Sequence, residues 1–163
     1  IHYRAIQAKR HTWYPRSFIA PKKMNQPGIK SGLQAIHDQI SEINDAGIPT
    51  KKIILLGFSQ GACLTTEFAA RHPQLFGGIV GFSGGLIGEV VNPKNYQGSL
   101  EQSPVFLGCS DRDPHIPQER VDLTEQVFEK LGANVTKKIY VGMGHTVNND
   151  EIEHVQKIID QIW

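Results

Sequence analysis

Lys52-Ile53-Ile54-Leu55-Leu56-Gly57-Phe58-Ser59-Gln60-Gly61-Ala62 decides how this chain folds. The first half is a short apolar run rich in β-branched residues, which predicts a strand buried on both faces. Directly behind it, residues 60–71 read as a helix that ends before Pro73. A buried strand that turns at once into a helix opens a βαβ unit. It predicts an α/β fold built on a parallel sheet.

The same alternation extends outward. Upstream, Ile29, Leu33, Ile36, Ile40 and Ile43 recur at helical spacing, and Gly47 and Pro49 close that helix. Residues 11–28, with Trp13, Tyr14, Pro15, Pro21, Pro27 and Gly28, read as a long irregular loop. Downstream, residues 78–82 and 104–109 are further buried strands, and Lys138-Ile139-Tyr140-Val141 is a fourth. Helices are predicted over 118–131, stopped by Gly132, and over 149–162. Residues 1–163 therefore read as one domain, a mostly parallel sheet with helices on both faces. In such sheets ligands gather beyond the carboxyl ends of the strands, so reactive residues are expected just after them.

Composition narrows the function. The 39% hydrophobic and 20% charged residues are ordinary for a soluble globular protein. With a net charge of +1, no long-range field is expected, and the Lys-Lys pairs at 22–23, 51–52 and 137–138 are scattered, which argues against nucleic acid. No apolar run is long enough to span a bilayer, and Ile1-His2-Tyr3-Arg4 lacks the apolar core of a signal peptide, so a cytoplasmic location is expected. Cys63 and Cys109 sit in apolar runs and are expected to be free buried thiols. Glu151-Ile152-Glu153-His154 holds a single Glu-x-x-His, whereas a di-metal site needs two, so it is expected on a solvated helix face. No metal and no cofactor is expected.

Gly57-Phe58-Ser59-Gln60-Gly61 matches G-x-S-x-G between a strand and a helix, the placement of a nucleophile elbow. Glycines at 57 and 61 are expected because side chains there would clash in so tight a turn. The turn would lift the Ser59 hydroxyl into a cleft and aim the Gln60 backbone N–H, at a helix N-terminus, at a developing oxyanion. A serine needs a base, and His145 follows the fourth strand in Gly142-Met143-Gly144-His145. The base needs an orienting carboxylate, and Asp111 and Asp113 both follow the third strand. Spacing alone does not choose between them. His115 is expected at the surface as a loop residue, and His72 as a helix-end cap.

At these residues the chain resembles the phospholipase/carboxylesterase family of α/β-hydrolases, which includes bacterial carboxylesterases and acyl-protein thioesterases. The matching stretches are Thr12-Trp13-Tyr14-Pro15 with Ser17-Phe18, Leu56 to Ala62, Ser83-Gly84-Gly85-Leu86, Asp113-Pro114-His115-Ile116-Pro117 and Gly142-Met143-Gly144-His145. The resemblance implies the α/β-hydrolase fold and a catalytic set of Ser59, Asp113 and His145. It selects Asp113 over Asp111 as the acid. It also implies that residues 83–86 shape the cleft and that Trp13 and Leu86 contact the acyl group. The implied activity is hydrolysis of short- to medium-chain acyl esters or lysophospholipid-like substrates. Acyl-protein thioesterase and a non-catalytic binding protein are the alternatives. The implied partner is a small-molecule ester, and a homodimer is compatible with the family. The family also begins earlier, with extra strands and a His-Gly loop that supplies a second oxyanion donor. Residues 1–57 match none of that and begin with Ile rather than Met, so the sheet is expected to lack its N-terminal strands and to expose an unpaired edge.

Overall fold

The computed structural model describes residues 1–162. Helix α1 spans Gly28–Asp45 and α2 Gln60–Arg71, α3 spans Gln118–Lys130 and α4 Asn149–Asp160. Strands β1 (Ile54–Phe58), β2 (Gly78–Phe82), β3 (Pro104–Ser110) and β4 (Asn134–Tyr140) form a 4-stranded sheet in the order β1-β2-β3-β4. Every neighbouring pair is parallel. This is the doubly covered sheet of an α/β-hydrolase fold, with sheet order equal to chain order.

The helices divide unequally. One large core lies between the sheet and α1, α2 and α3, and holds Phe68, Ile79, Leu107, Val127 and Phe128. Each such aromatic or aliphatic side chain contributes roughly 1.5–3 kcal/mol by leaving water. On the opposite face, Val155 and Ile158 of α4 cover Val80, Phe82 and Phe106. Helix α2 lies between the sheet and α1, so residues 62–70 are all buried. Its buried polar residues, Thr65, Thr66 and Glu67, therefore need partners inside the fold. The apolar face of α1 packs as its spacing predicts, with Ile29 and Ile40 buried, and Gly47 adopts a φ of 87° just past its end.

Two strand expectations change. Strand β1 is not buried on both faces: Leu56 is 53% and Phe58 42% exposed. Their register partners Val80 and Phe82 lie under α4, which packs on β2 and β3 and touches β1 only near Ile54, leaving Leu56 and Phe58 open. The outer edge of β1 has no strand partner among the described residues. Strand β4 starts at Asn134 rather than at Lys138 and leaves out Val141. Its first residues are polar because β4 is the other edge strand and alternates between covered and exposed positions.

The connection from β2 to β3, residues 83–103, contains only a 3-10 turn at Pro93–Asn95, yet Leu86, Ile87, Tyr96 and Leu100 within it are buried. Glu67 makes this possible. Its fully buried carboxylate accepts the Ile87 N–H at 3.0 Å and the Tyr96 hydroxyl at 3.2 Å, and pairs with Lys22 at 3.0 Å and Arg71 at 2.7 Å. Irregular backbone can be buried only where its polar groups find partners.

Candidate active site

The turn after β1 is held in an unusual conformation. Ser59 has φ 54° and ψ −119°, a region that costs a non-glycine residue about 1–3 kcal/mol. The strain is contained by flanking hydrogen bonds, from Ser59 N–H to Phe82 O at 3.0 Å and from Cys63 N–H to Ser59 O at 3.0 Å. A Cβ at Gly57 would meet the Gly61 carbonyl at 2.3 Å and Ala62 N at 2.5 Å, so only glycine fits there. Gly61 differs from expectation: a Cβ there would meet nothing within 4 Å. The close approach is made by the Gly61 backbone and does not require a missing side chain at that position. Ser59 stands at the N-cap position of α2, but its side chain makes no capping bond. Its Oγ lies 2.9 Å from His145 Nε2 instead.

His145 arrives on the loop after β4, which is pinned to the end of β3. Asp111 Oδ1 accepts the Gly142 N–H at 2.8 Å, and Ser110 Oγ accepts the Gly144 N–H at 3.0 Å. Gly142 and Gly144 have φ values of 67° and 78°, which suit glycine and let the loop fold back over the strand ends. The two candidate carboxylates are thus both engaged, in different tasks. Asp111 holds the loop, while Asp113 Oδ2 lies 2.7 Å from His145 Nδ1.

The Asp113 side chain is fully covered, and its other oxygen accepts the N–H of His115 at 2.8 Å and of Ile116 at 3.1 Å. Burial pushes its carboxyl upward, but the hydrogen bonds from His145 and from those two N–H groups outweigh burial and hold it below the ordinary aspartate range. Cys109 lies beneath, with Sγ 4.0 Å from Asp113 Oδ2. Burial and that neighbouring carboxylate push its thiol up to about 12, so it remains a neutral S–H. Both cysteines are free and buried.

A cavity of about 630 Å³ opens on Ser59 and His145. Pro15, Phe18, Ile19, Ile116 and Pro117 give it apolar walls. His115 is exposed, as expected of a loop residue, and lines the cavity as well. Its ring meets the His145 ring edge-on at 4.9 Å, and Phe58 approaches His145 at 4.9 Å from another side. The Gln60 side chain, unremarked in the sequence, ties the cavity wall to the elbow. It accepts the Trp13 N–H at 3.0 Å and donates to Tyr14 O at 3.0 Å.

Neither residue expected to contact an acyl group lines this cavity. Leu86 is fully buried in the main core, where its N–H meets Thr124 Oγ1 at 3.0 Å. Trp13 packs its ring toward Gly32 of α1. Ser83 and Gly84 lie beneath the start of α2, where a Cβ at Gly84 would meet Ala62 Cβ at 2.4 Å. They support the elbow from below and do not line the cavity. Glu151 is also not on a solvated face. It is fully buried and forms a capping box with Asn148, while His154 stacks on Phe106 at 4.8 Å. Among the described residues no cluster of potential ligands could hold a metal ion, and no helix is long and apolar enough to cross a membrane.

Residues 2–163 match the family described as Phospholipase/Carboxylesterase. The chain is 31% identical over 137 residues to acyl-protein thioesterase 1 of Gibberella zeae, covering 81% of this chain and 57% of that protein. It is 32% identical over 147 residues to acyl-protein thioesterase 1 of Kluyveromyces lactis, covering 85% and 62%. Among solved structures, a phospholipase/carboxylesterase from Dyadobacter fermentans superposes with a TM-score of 0.89 at 42% identity, over 96% of this chain and 73% of that one. The chain therefore spans 57–62% of the length of these two curated relatives. Matched along nearly its whole length, it belongs to the phospholipase/carboxylesterase family of α/β-hydrolases.

Proposed function

We propose that this chain carries the reaction centre of a serine esterase that hydrolyses carboxylic esters through an acyl-enzyme. The observation that carries the reading is the continuous hydrogen-bonded line from Ser59 Oγ through His145 to Asp113, at 2.9 Å and 2.7 Å, opening on an apolar-walled cavity. Ser59 Oγ attacks the ester carbonyl carbon as its proton passes to His145 Nε2. The carbonyl oxygen takes the negative charge, and the Gln60 N–H at the start of α2 donates to it. The ester C–O bond then breaks, and His145 returns the proton to the departing alkoxide. Water repeats the sequence on the acyl-enzyme, releases the carboxylic acid and restores Ser59. Asp113, kept ionised, orients the imidazole and stabilises its cationic form.

The apolar cavity walls suit the short- to medium-chain acyl groups of simple esters or lysophospholipid-like substrates. A fluorophosphonate should label Ser59, and Ser59→Ala should abolish both labelling and ester turnover. A folded protein that resists labelling would sink the reading. The acyl-protein thioesterase relatives favour a second reading, removal of an S-acyl group from a protein, by the same residues. The ratio of rates on a thioester and its matched oxygen ester separates the two.

A further inference from the structure

The net charge of +1 conceals a strong segregation. Residues 1–37 contain seven lysines and arginines and no aspartate or glutamate, and the first acidic residue is Asp38. The positive charge of the chain is therefore concentrated in one segment. This cationic segment supplies one wall of the cavity in front of Ser59, through Thr12 and residues 14–19. Among the residues lining that cavity, the one carboxylate is Asp113, already held by His145 and two backbone N–H groups. Arg16 is the one Lys or Arg in the lining, and it is exposed. Its guanidinium forms no ion pair among the described residues.

Arg16 is also held in place. Asn25 is fully buried and clamps the backbone on both sides of it, accepting the Arg16 N–H at 2.8 Å and donating to Ser17 O at 2.8 Å. Two residues on, Phe18 O accepts the Gly88 N–H at 2.8 Å. A buried asparagine spent on fixing one exposed turn anchors the base of the arginine at the cavity wall. Lys9, Arg10, His11 and Lys23 are exposed on the same segment and also lack ion-pair partners among the described residues.

We propose that Arg16 is a specificity-determining residue that selects esters bearing an anionic group, a carboxylate or a phosphate, in the acyl or the alcohol part. This rests on the esterase reading above. The planar guanidinium donates two parallel hydrogen bonds to either group, and a charge-assisted contact at a semi-enclosed wall favours the anion over its neutral isostere. The ester carbonyl stays at Ser59 while the anion is held at Arg16.

The test compares matched pairs. One arm uses the 4-nitrophenyl monoester of adipic acid against 4-nitrophenyl pentanoate, and places the anion in the acyl part. The other uses an acylglycerol phosphate against the acylglycerol of the same chain, and places it in the alcohol part. Arg16→Gln should lower kcat/KM about 10-fold for the anionic member of at least one pair, with the neutral member unchanged. Arg16→Lys should restore part of the loss, and raising salt to about 0.5 M should shrink it. Loss in both members alike, or in neither member of either pair, overturns the proposal. A readout without turnover uses the unreactive amides of adipic and pentanoic acid. Arg16→Gln should weaken Kd for the anionic amide alone, and equal Kd values in both proteins overturn the proposal. Anion-selective amide binding with no fluorophosphonate labelling of Ser59 would strike the esterase reading and leave the role of Arg16 intact.

Discussion

Asp111 accepts the Gly142 N–H at 2.8 Å, while Asp113, two residues on, meets His145 Nδ1 at 2.7 Å. One short turn after β3 thus fixes both the loop that carries the histidine and the ring itself. The two carboxylates should separate in kinetics. Asp113→Asn leaves the shape intact but removes the acceptor that sets the ring, and kcat should fall about 1,000- to 10,000-fold. Asp111→Ala only loosens the loop, and kcat/KM should fall about 10- to 100-fold. Equal losses in the two variants on one ester would contradict this division.

Asp113 also predicts an acid limb. Its folded-state carboxyl lies below the ordinary value, so it binds fewer protons folded than unfolded between the two. Its contribution is present above the unfolded aspartate value of about 3.9 and is lost as pH falls through the depressed one. The stability gap between the parent and Asp113→Asn should therefore hold steady down to about pH 4 and close below it, as pH falls through the depressed value. Urea unfolding at descending pH measures it. A gap that closes already near neutrality would contradict the assignment.

Glu151 predicts the opposite slope. Burial raises its carboxyl, the Asp150 charge adds to that, and the Asn148 N–H opposes it. The folded state therefore favours the protonated acid. The associated stability is full below about pH 4.3 and is lost as pH rises through the raised value. Glu151→Gln cannot ionise, so its stability relative to the parent should improve as pH rises from about 4.3 through the raised value and then level off. A difference that is flat with pH would remove the basis for this.

Glu67→Ala should be among the most damaging single changes outside the reaction centre. It strips the partner from the Ile87 N–H and the Tyr96 hydroxyl in the interior and leaves Lys22 and Arg71 uncompensated. Each stranded donor costs about 1–3 kcal/mol, while Lys22 and Arg71, 36% and 41% exposed, turn to solvent. The midpoint of urea unfolding reads the loss, and a drop of under about 1 kcal/mol would show that the network carries little.

Gly57 and Gly61 should part company although the motif treats them alike. Gly57→Ala drives a Cβ to within 2.3 Å of the Gly61 carbonyl and should prevent the elbow from forming. Gly61→Ala meets open space inside α2 and should stabilise the fold by about 0.5–1 kcal/mol through helix propensity. Soluble yield and thermal midpoint of the two variants decide the matter.

The parts of this molecule legible in sequence were those that local pattern governs. The strand-to-helix passage at Phe58-Ser59-Gln60 follows from an apolar run that stops at a turn. The strand ends then place Ser59, Asp113 and His145 on one rim, where their side chains meet. What pattern could not show was which neighbour covers which surface. Leu56 reads as buried because it is apolar, yet α4 sits over β2 and β3 and leaves it open. Leu86 reads as a pocket residue because it follows a glycine pair in a matching stretch, yet the connection folds it inward. Glu151 reads as solvated because it is charged, yet the capping box draws it under the helix start. Asp111 was visible only as a rival to Asp113, because a choice of one partner for the histidine left no place for a carboxylate that binds backbone.

The match between sheet order and chain order has a consequence for assembly on the ribosome. Each strand pairs with the one made just before it, so the sheet can grow in one direction as the chain emerges. Among the described strands, Ser59 and its strained turn directly follow β1, and His145 follows β4. The proposed nucleophile is thus made well before the histidine proposed as its base. Under the proposed mechanism, Ser59 stays inert until β4 docks and delivers the His145 imidazole, so a chain that stops short of His145 would neither label with a fluorophosphonate nor turn over ester.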